Sequence, residues 1–490
     1  MPHHDLLIIG AGSGNSVIGP AHDDWDVAIA EPWAFGGTCL NRGCIPSKML
    51  VHVADLALSA RRAPDLGVHT SFNGVDWPAI RDRIFGRIDP IASSGLEYRR
   101  SLANVTVYEH SARFTGERTV ELDGREVTAD RIVVAAGART VVPDVPGLAE
   151  TPFRTSDDVM RLDELPERLV ILGGGFIAAE MAHVFDGLGS RVTIVHRGDL
   201  MLRGADEDVR RCITDVYLDR MDVRLETTVS DVSHDGTYDI QLSDGSSLQA
   251  DQLLVATGRR PNGDLLEVER AGITLGDRGY ITTDEHLRTS AHGIWALGDV
   301  TNPRQLKHTD NAEARIITNN LTNPEELRSV DRRFVPHAVF GHPQIGSVGQ
   351  TQKELIDSGC PHIVATRHYS DTAYGWAMED STGFAKVLAD PATHPEADIR
   401  CALLHRLAVA AGGQGMVGGQ MIDLATEHAG PDVGTITRMQ RLKTGPQAPT
   451  LVQQLIQGMA AGMTVDQMAH DQLYIHPAMP ELVEQALLDL

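Results

Sequence analysis

Four short apolar runs, Leu6-Leu7-Ile8-Ile9, Val27-Ala28-Ile29-Ala30, Leu169-Val170-Ile171-Leu172 and Val192-Thr193-Ile194-Val195, stand out along the chain. A strand buried on both faces of a parallel sheet reads this way. The stretch from about Val51 to Ala103 is amphipathic, and Val105 to Leu122 alternates in a way that predicts antiparallel strands. Val335-Pro336-His337-Ala338-Val339-Phe340 and Gly383-Phe384-Ala385-Lys386-Val387-Leu388-Ala389 read as strands of a further domain. Leu403, Leu404, Leu407 and Ala411 recur at helical spacing, which predicts that residues 395–444 are mostly helical. No apolar run reaches the ~20 residues that a membrane helix needs.

Length and charge narrow the class. The 490 residues suggest about three domains. A hydrophobic content of 42% and a charged content of 22% are ordinary for a globular protein. The net charge of -24 opposes a phosphate backbone, so nucleic acid is not an expected partner. Met-Pro-His-His-Asp leads straight into the first apolar run without a signal-peptide plan, and a cytoplasmic enzyme is expected.

Glycines follow two of the apolar runs. Gly10, Gly12 and Gly14 come directly after the first. They allow a tight turn and let a pyrophosphate approach the backbone at a helix N-terminus. Glu31 ends the second run, where it can accept a hydrogen bond from an adenosine ribose hydroxyl. Asn15 stands where a third glycine is usual, which predicts slightly looser helix–strand packing. The third run leads into a second pattern, Gly-x-Gly-x-x-Ala, with Gly173 and Gly175. The fourth run ends in His196-Arg197, where an NAD site prefers an acid. Arg197 and Arg203 could instead pair with a ribose 2′-phosphate, which predicts NADPH. The competing reading is that both arginines are solvated surface charges and that NADH is used.

Chemistry gathers in Gly36-Gly37-Thr38-Cys39-Leu40-Asn41-Arg42-Gly43-Cys44-Ile45-Pro46-Ser47-Lys48. On a helical turn the spacing of Cys39 and Cys44 brings the two side chains to roughly one face. Free buried thiols, half of a zinc site and a disulfide are the readings open to such a pair. Zinc fits poorly, because Cys212, Cys360 and Cys401 are scattered singly rather than paired. No metal is therefore expected.

Gly-Gly-Thr-Cys followed by four residues and then Cys-Ile-Pro-Ser-Lys resembles the active site of the class I pyridine nucleotide-disulfide oxidoreductases, a family that includes glutathione reductase, dihydrolipoamide dehydrogenase and mycothione reductase. Ser13-Gly14-Asn15-Ser16 is most similar to the mycothione reductase branch. The resemblance implies an α/β fold with two Rossmann-like, glutathione reductase-like dinucleotide-binding domains and a C-terminal α+β interface domain. It places an FAD-binding domain at 1–150 and 289–334, an NADPH-binding domain at 151–288 and an interface domain at 335–490. It implies FAD and NADPH as cofactors, a homodimer, and NADPH-driven reduction of a low-molecular-weight disulfide, mycothione above others, through a redox-active Cys39–Cys44 disulfide. Cys44 would lie against the flavin and Cys39 would attack the substrate. His476, from the partner subunit in this family, would hold Cys39 as thiolate, with Glu481 orienting the imidazole. Lys48 and Glu180 would form a buried pair beside the flavin. Gly37, Thr38, Gly137 and Asp299 would join Gly10, Gly12, Gly14 and Glu31 in the flavin site, and Gly258 would join Gly173, Gly175, Arg197 and Arg203 in the nucleotide site. Lys307 to Glu313 would open a helix aimed at the flavin pyrimidine, with Asp310 where a small residue is usual.

The resemblance stops between residues 395 and 444. Gly418-Gly419-Gln420-Met421-Ile422-Asp423-Leu424 and Arg441-Leu442-Lys443-Thr444-Gly445 resemble instead a helical piece of a trans-type prenyl diphosphate synthase. The two Asp-rich magnesium motifs of such enzymes are absent, so prenyl transfer is not expected. A surface insertion costs only about 0.6 kcal/mol per doubling of loop length. Replacing a sheet strand with three or four buried apolar side chains, at ~1.5–3 kcal/mol each, would cost far more. The alternatives to a working mycothione reductase-like enzyme are thus a flavin-binding chimaera with impaired dimerisation, and a dihydrolipoamide dehydrogenase-like enzyme.

Overall fold

A computed structural model of the chain describes residues 1–332, 335–371 and 373–389. The segment 395–444, His476 and Glu481 lie outside the described residues, and with them the expectation of a helical insertion.

The first apolar runs are the centre of a sheet. β1 (His3–Ile9) and β2 (Val27–Ala30) pair in parallel, Leu6 opposite Val27 and Ile9 opposite Ala30. Every residue of β2 is buried, which is why neither strand alternates. The link between them is not the α-helix expected after the glycines. It is a 3-10 turn at Ser13–Val17 and a second at Pro20–His22. Pro20 disfavours a helical Gly19, and Gly14 weakens a helix intrinsically, so a long helix has no room before β2. Asn15 is held rather than loose: its side-chain oxygen accepts from Arg99 Nε at 2.7 Å and its carbonyl from Nη2 at 2.8 Å.

After β2 come α1 (Gly37–Arg42), α2 (Cys44–Arg62) and α3 (Trp77–Ser101), the last capped by the Asp76 side chain, which accepts from Ala79 N. β3 (Val105–Tyr108) then pairs parallel to β2, Val27 opposite Val105. The alternation at Val105–Leu122 had predicted antiparallel strands. That holds for β4 (Ala112–Gly116) and β5 (Thr119–Leu122) but not for β3, because a crossover through three helices returns the chain in the parallel sense. β6 (Arg125–Val134) completes the main order β3-β2-β1-β6-β5-β4.

The same plan recurs. After β7 (Ala138–Thr140), β8 (Arg168–Leu172), α4 (Phe176–Leu188) and β9 (Arg191–Val195) form a parallel unit. α5 (Glu207–Arg220) leads to β10 (Asp222–Arg224) beside β9. β11 (Val229–His234), β12 (Tyr238–Leu242) and β13 (Ser247–Ala250) make an antiparallel meander, and β14 (Gln252–Val255) closes the parallel sheet on β8. β15 (Arg259–Pro261) pairs back to β7. β16 (Ile294–Ala296) then returns to the first sheet beside β6, followed by α6 (Lys307–Thr322) and β17 (His337–Val339).

Apart from the greater part of α5, these elements belong to one compact unit, Met1–Arg203 with Tyr217–Gly346. The other unit takes Gly204–Val216 with the residues from Ser347 onward. β18 (Ile345–Ser347) ends at Ser347, and the second unit goes on with α7 (Gln352–Asp357) with a Thr351/Glu354 capping box, β19 (Ile363–His368), α8 (Ala373–Met378), and β20 (Phe384–Ala389) antiparallel to β19. In that unit the Lys386 side chain is 6% exposed, and its Nζ meets Asp206 at 2.7 Å and Asp208 at 2.6 Å. Among the described residues no helix is long and apolar enough to cross a membrane.

Candidate active site

The two cysteines sit on either side of a helix break. Cys39 is in α1 and Cys44 is the first residue of α2, with Gly43 between the two helices. A Cβ at Gly43 would lie 2.8 Å from the Thr38 carbonyl oxygen, so only glycine lets the helices turn this closely. Both cysteines are thiols, and the Cys39 S–H donates to the Cys44 sulfur. That bond, with help from Lys48, pulls Cys44 below the usual thiol range, while burial and the facing Cys44 sulfur push Cys39 well above it. Cys44 is therefore the favoured thiolate of the reduced pair.

One turn along α2, Lys48 Nζ donates to Glu180 Oε2 of α4 at 2.6 Å, the side chains being 18% and 7% exposed. Glu180 Oε1 also accepts from Phe340 N at 3.0 Å, and the Lys48 ammonium lies 4.4 Å from the centre of the Phe340 ring. A buried ion pair costs desolvation that only added partners offset, and here both ions have them. Phe340 is a site residue that the sequence did not mark. Its signal is positional, three residues beyond His337 in a stretch read only as strand.

Two glycine turns follow the first strands of the two parallel units. Gly10 has φ +109°, and a Cβ there would collide with the Ala135 carbonyl oxygen; Gly173 has φ +129° and would collide with the Ala256 carbonyl oxygen in the same way. In the first turn the backbone also closes on α1, since a Cβ at Gly37 would lie 2.6 Å from the Gly12 Cα. Gly14 packs on Ala135 and Ile8, and Thr38 follows Gly37 into the first turn of α1. Glu31 is 7% exposed, and its two oxygens accept from Ala11 N at 2.7 Å and Trp33 N at 3.0 Å. Burial raises its carboxyl above the usual range. In the second turn Gly175 precedes α4, and the His196 ring lies against Gly174. Arg197 and Arg203 are exposed and make no ion pair among the described residues. Gly137 and Gly258 have φ of +68° and +128° with open space around them.

A sequence profile described as pyridine nucleotide-disulphide oxidoreductase matches residues 4–315, and one for the dimerisation domain of that group matches residues 335–395. The chain belongs to the pyridine nucleotide-disulphide oxidoreductase family. It is 41% identical over 501 residues to mycothione reductase of Mycobacterium tuberculosis (strain ATCC 25618 / H37Rv), covering 100% of both chains. It is 36% identical to glutathione reductase of Burkholderia cepacia, covering 72% of this chain and 79% of that one. The solved structure of the HOCl-induced flavoprotein disulfide reductase RclA from Escherichia coli superposes with a TM-score of 0.71 at 28% identity, covering 99% of each chain.

Pyridine nucleotide-disulphide oxidoreductases bind FAD and use NAD(P)H, and the residues present fit a flavin. Near the start of α6 several buried polar atoms have no hydrogen-bond partner: Asn302 Nδ2, Thr309 Oγ1, Asp310 Oδ1 and Asn311 Oδ1. Orphaned groups of this density call for a polar ligand. Asp299, in the turn after β16, is half-buried; burial raises its carboxyl while Arg259 opposes the rise. Lys307 Nζ donates to Ser13 Oγ at 2.8 Å, which puts a cation at the first glycine turn. No spacing rule in the sequence marks Asn302 or the bond from Lys307 to Ser13. The signal, an unsatisfied amide nitrogen in the one case and a contact across 294 positions in the other, exists only in the folded chain. His476 and Glu481 lie outside the described residues, so the site is drawn without them.

Proposed function

We propose that the chain is an NADPH-dependent flavoprotein that reduces a low-molecular-weight disulfide, with mycothione as its substrate. The observation that carries this reading is the hydrogen-bonded Cys39–Cys44 pair one helical turn from the Lys48–Glu180 ion pair. The match to mycothione reductase along the full length of both chains supports the choice of substrate. Residues 1–150 with 289–334 would hold FAD, 151–288 NADPH, and 335–490 a homodimer interface.

Bound FAD would supply the two-electron relay between NADPH and the disulfide. Gly10, Gly12, Gly14, Gly37 and Thr38 would line its pyrophosphate, Glu31 its adenosine ribose, and Gly137 and Asp299 the remainder of the pocket. Gly173, Gly175 and Gly258 would line the NADPH pyrophosphate, with Arg197 and Arg203 on its 2′-phosphate. Lys48 would carry positive charge toward the Cys44 sulfur and keep it a thiolate. His476 of a second copy, oriented by Glu481, would take the Cys39 proton; the Cys39 sulfur would attack the substrate disulfide, forming a mixed disulfide and expelling one thiolate, which would receive that proton from the imidazole. The Cys44 thiolate would then attack the Cys39 sulfur, re-forming the Cys39–Cys44 disulfide and releasing the second half of the substrate as a thiolate, which takes its proton from solvent.

NADPH oxidation measured against mycothione, glutathione disulfide and lipoamide tests this. The expected result is preference for mycothione by kcat/KM; equal rates with all three, or none, overturns it. A second reading rests on the foreign sequence at 395–444: a chain that loads FAD, and whose flavin NADPH reduces, but that dimerises weakly and turns over slowly. Excising that segment and restoring a short apolar strand would then raise both dimer fraction and turnover.

A further inference from the structure

We propose that Asp310 serves the flavin pocket as a carboxylic acid, offering a hydrogen bond from the first turn of α6 to a carbonyl oxygen of the flavin ring. The inference rests on the flavoprotein reading above. Asp310 is 8% exposed, and its Oδ1 is buried with no partner. It packs at the turn that carries Asp299: a Cβ at Gly298 would lie 3.3 Å from the Asp310 carboxyl carbon. Its backbone N–H is already given to the Leu306 carbonyl, so the side chain is what Asp310 has left to offer.

The surroundings decide the protonation state. Three carboxyls crowd here, Asp299, Asp310 and Glu313. Glu313 holds Arg332 at 2.7 Å and accepts from Gly298 N at 2.8 Å. Lys307, the nearby cation, is engaged with Ser13. Asp310 makes no ion pair among the described residues, and an ionised carboxylate without one is costly at this depth. Burial pushes its carboxyl well above the usual range, Asp299, Glu313 and the Cys44 sulfur push the same way, and Lys307 opposes them. Asp310 thus lies within electrostatic reach of both Asp299 and Cys44. A neutral acid there can donate without repelling the Cys44 thiolate, whereas a carboxylate would oppose every negative charge that reduction creates nearby.

The test is the midpoint potential of FAD bound to the wild-type chain, Asp310→Asn and Asp310→Ala, with the dissociation constant of oxidised FAD measured alongside. The amide keeps a donor and carries no charge, so Asp310→Asn should match the wild type. Asp310→Ala removes the donor and should weaken binding of reduced relative to oxidised FAD about tenfold, about 30 mV lower for a two-electron couple. Asp310→Leu, similar in shape, stands in if the alanine variant does not fold. A rise in potential in Asp310→Asn and Asp310→Ala alike would mean that a carboxylate had been removed, and overturns the proposal. Equal potentials in all three chains overturn it as well, by showing that Asp310 does not touch the flavin. If the wild-type chain takes up no FAD at all, the flavoprotein reading fails first and this inference with it.

Discussion

The two dinucleotide units share a strand plan and differ in how they meet a ligand. The first, built on β1, follows its glycines with a five-residue 3-10 turn; the second, built on β8, follows them with the thirteen-residue α4. A full helix presents roughly half a positive charge at its N-terminus, and a single 3-10 turn much less. In the first unit Lys307 Nζ sits on Ser13 Oγ and brings a whole cation to the same place. The ends of the second strands differ too. Glu31 is buried and held by two backbone N–H groups, whereas β9 ends at His196, next to the exposed Arg197. On the proposed function, the first plan would serve a permanently held cofactor with a free ribose, and the second a nucleotide that carries an extra phosphate and must leave. The lesson is that fold repeats while charge placement does not.

That contrast can be broken at the turns. Gly10→Ala and Gly173→Ala each force a Cβ into a carbonyl oxygen at positive φ, and the φ alone costs about 1–2 kcal/mol. Gly10→Ala should lose FAD on purification. Gly173→Ala should stay yellow but lose NADPH binding in a fluorescence titration. Loss of both ligands in either variant would show that the units are not independent. Next in size, Arg197→Ala with Arg203→Ala should erase the NADPH preference, since each charge-assisted bond contributes about 1.5–3 kcal/mol. Unchanged ratios of kcat/KM for NADPH over NADH would return both arginines to ordinary surface charges. Lys307→Met sharpens the contrast with a smaller effect, roughly tenfold weaker FAD binding with NADPH binding unchanged. Equal weakening of both ligands would contradict the division of labour.

The smallest effect concerns pH. Cys44 sits below the usual thiol range chiefly because Cys39 donates to it, so its thiolate forms as pH rises through that lowered value. Cys39→Ala removes the donor. The thiolate absorbance near 240 nm in the FAD-free protein should then appear at higher pH than in the reduced wild type. A midpoint that stays put would assign the lowering to Lys48 instead.

Much of the fold was legible because burial on both faces forbids alternation, so Leu6–Ile9 and Leu169–Leu172 could be only central strands or helix fragments, and the glycines after them settled which. Val105–Tyr108 misled because a four-residue edge strand with one exposed threonine alternates whichever way its neighbour runs. The Ser13–Val17 turn was hidden by the family habit of placing a helix there. The local residues that argue against it are Gly14 and Pro20. At the site, Cys39 and Cys44 announced themselves by spacing, and Lys48 with Glu180 only through the resemblance, since 132 positions separate them. Asn302 and Thr309 could not be read as unpartnered, because an unsatisfied group exists only once its surroundings are built.

The central claim is that electrons from the nucleotide unit end on the Cys39–Cys44 pair. Anaerobic titration of the FAD-loaded chain with NADPH tests it most directly. The account requires the first equivalent, about two electrons, to reduce the disulfide and leave the flavin yellow with a long-wavelength absorbance from the facing Cys44 thiolate, a band missing in Cys44→Ser. Bleaching of the flavin by that first equivalent in the wild type, with no such band, would contradict it.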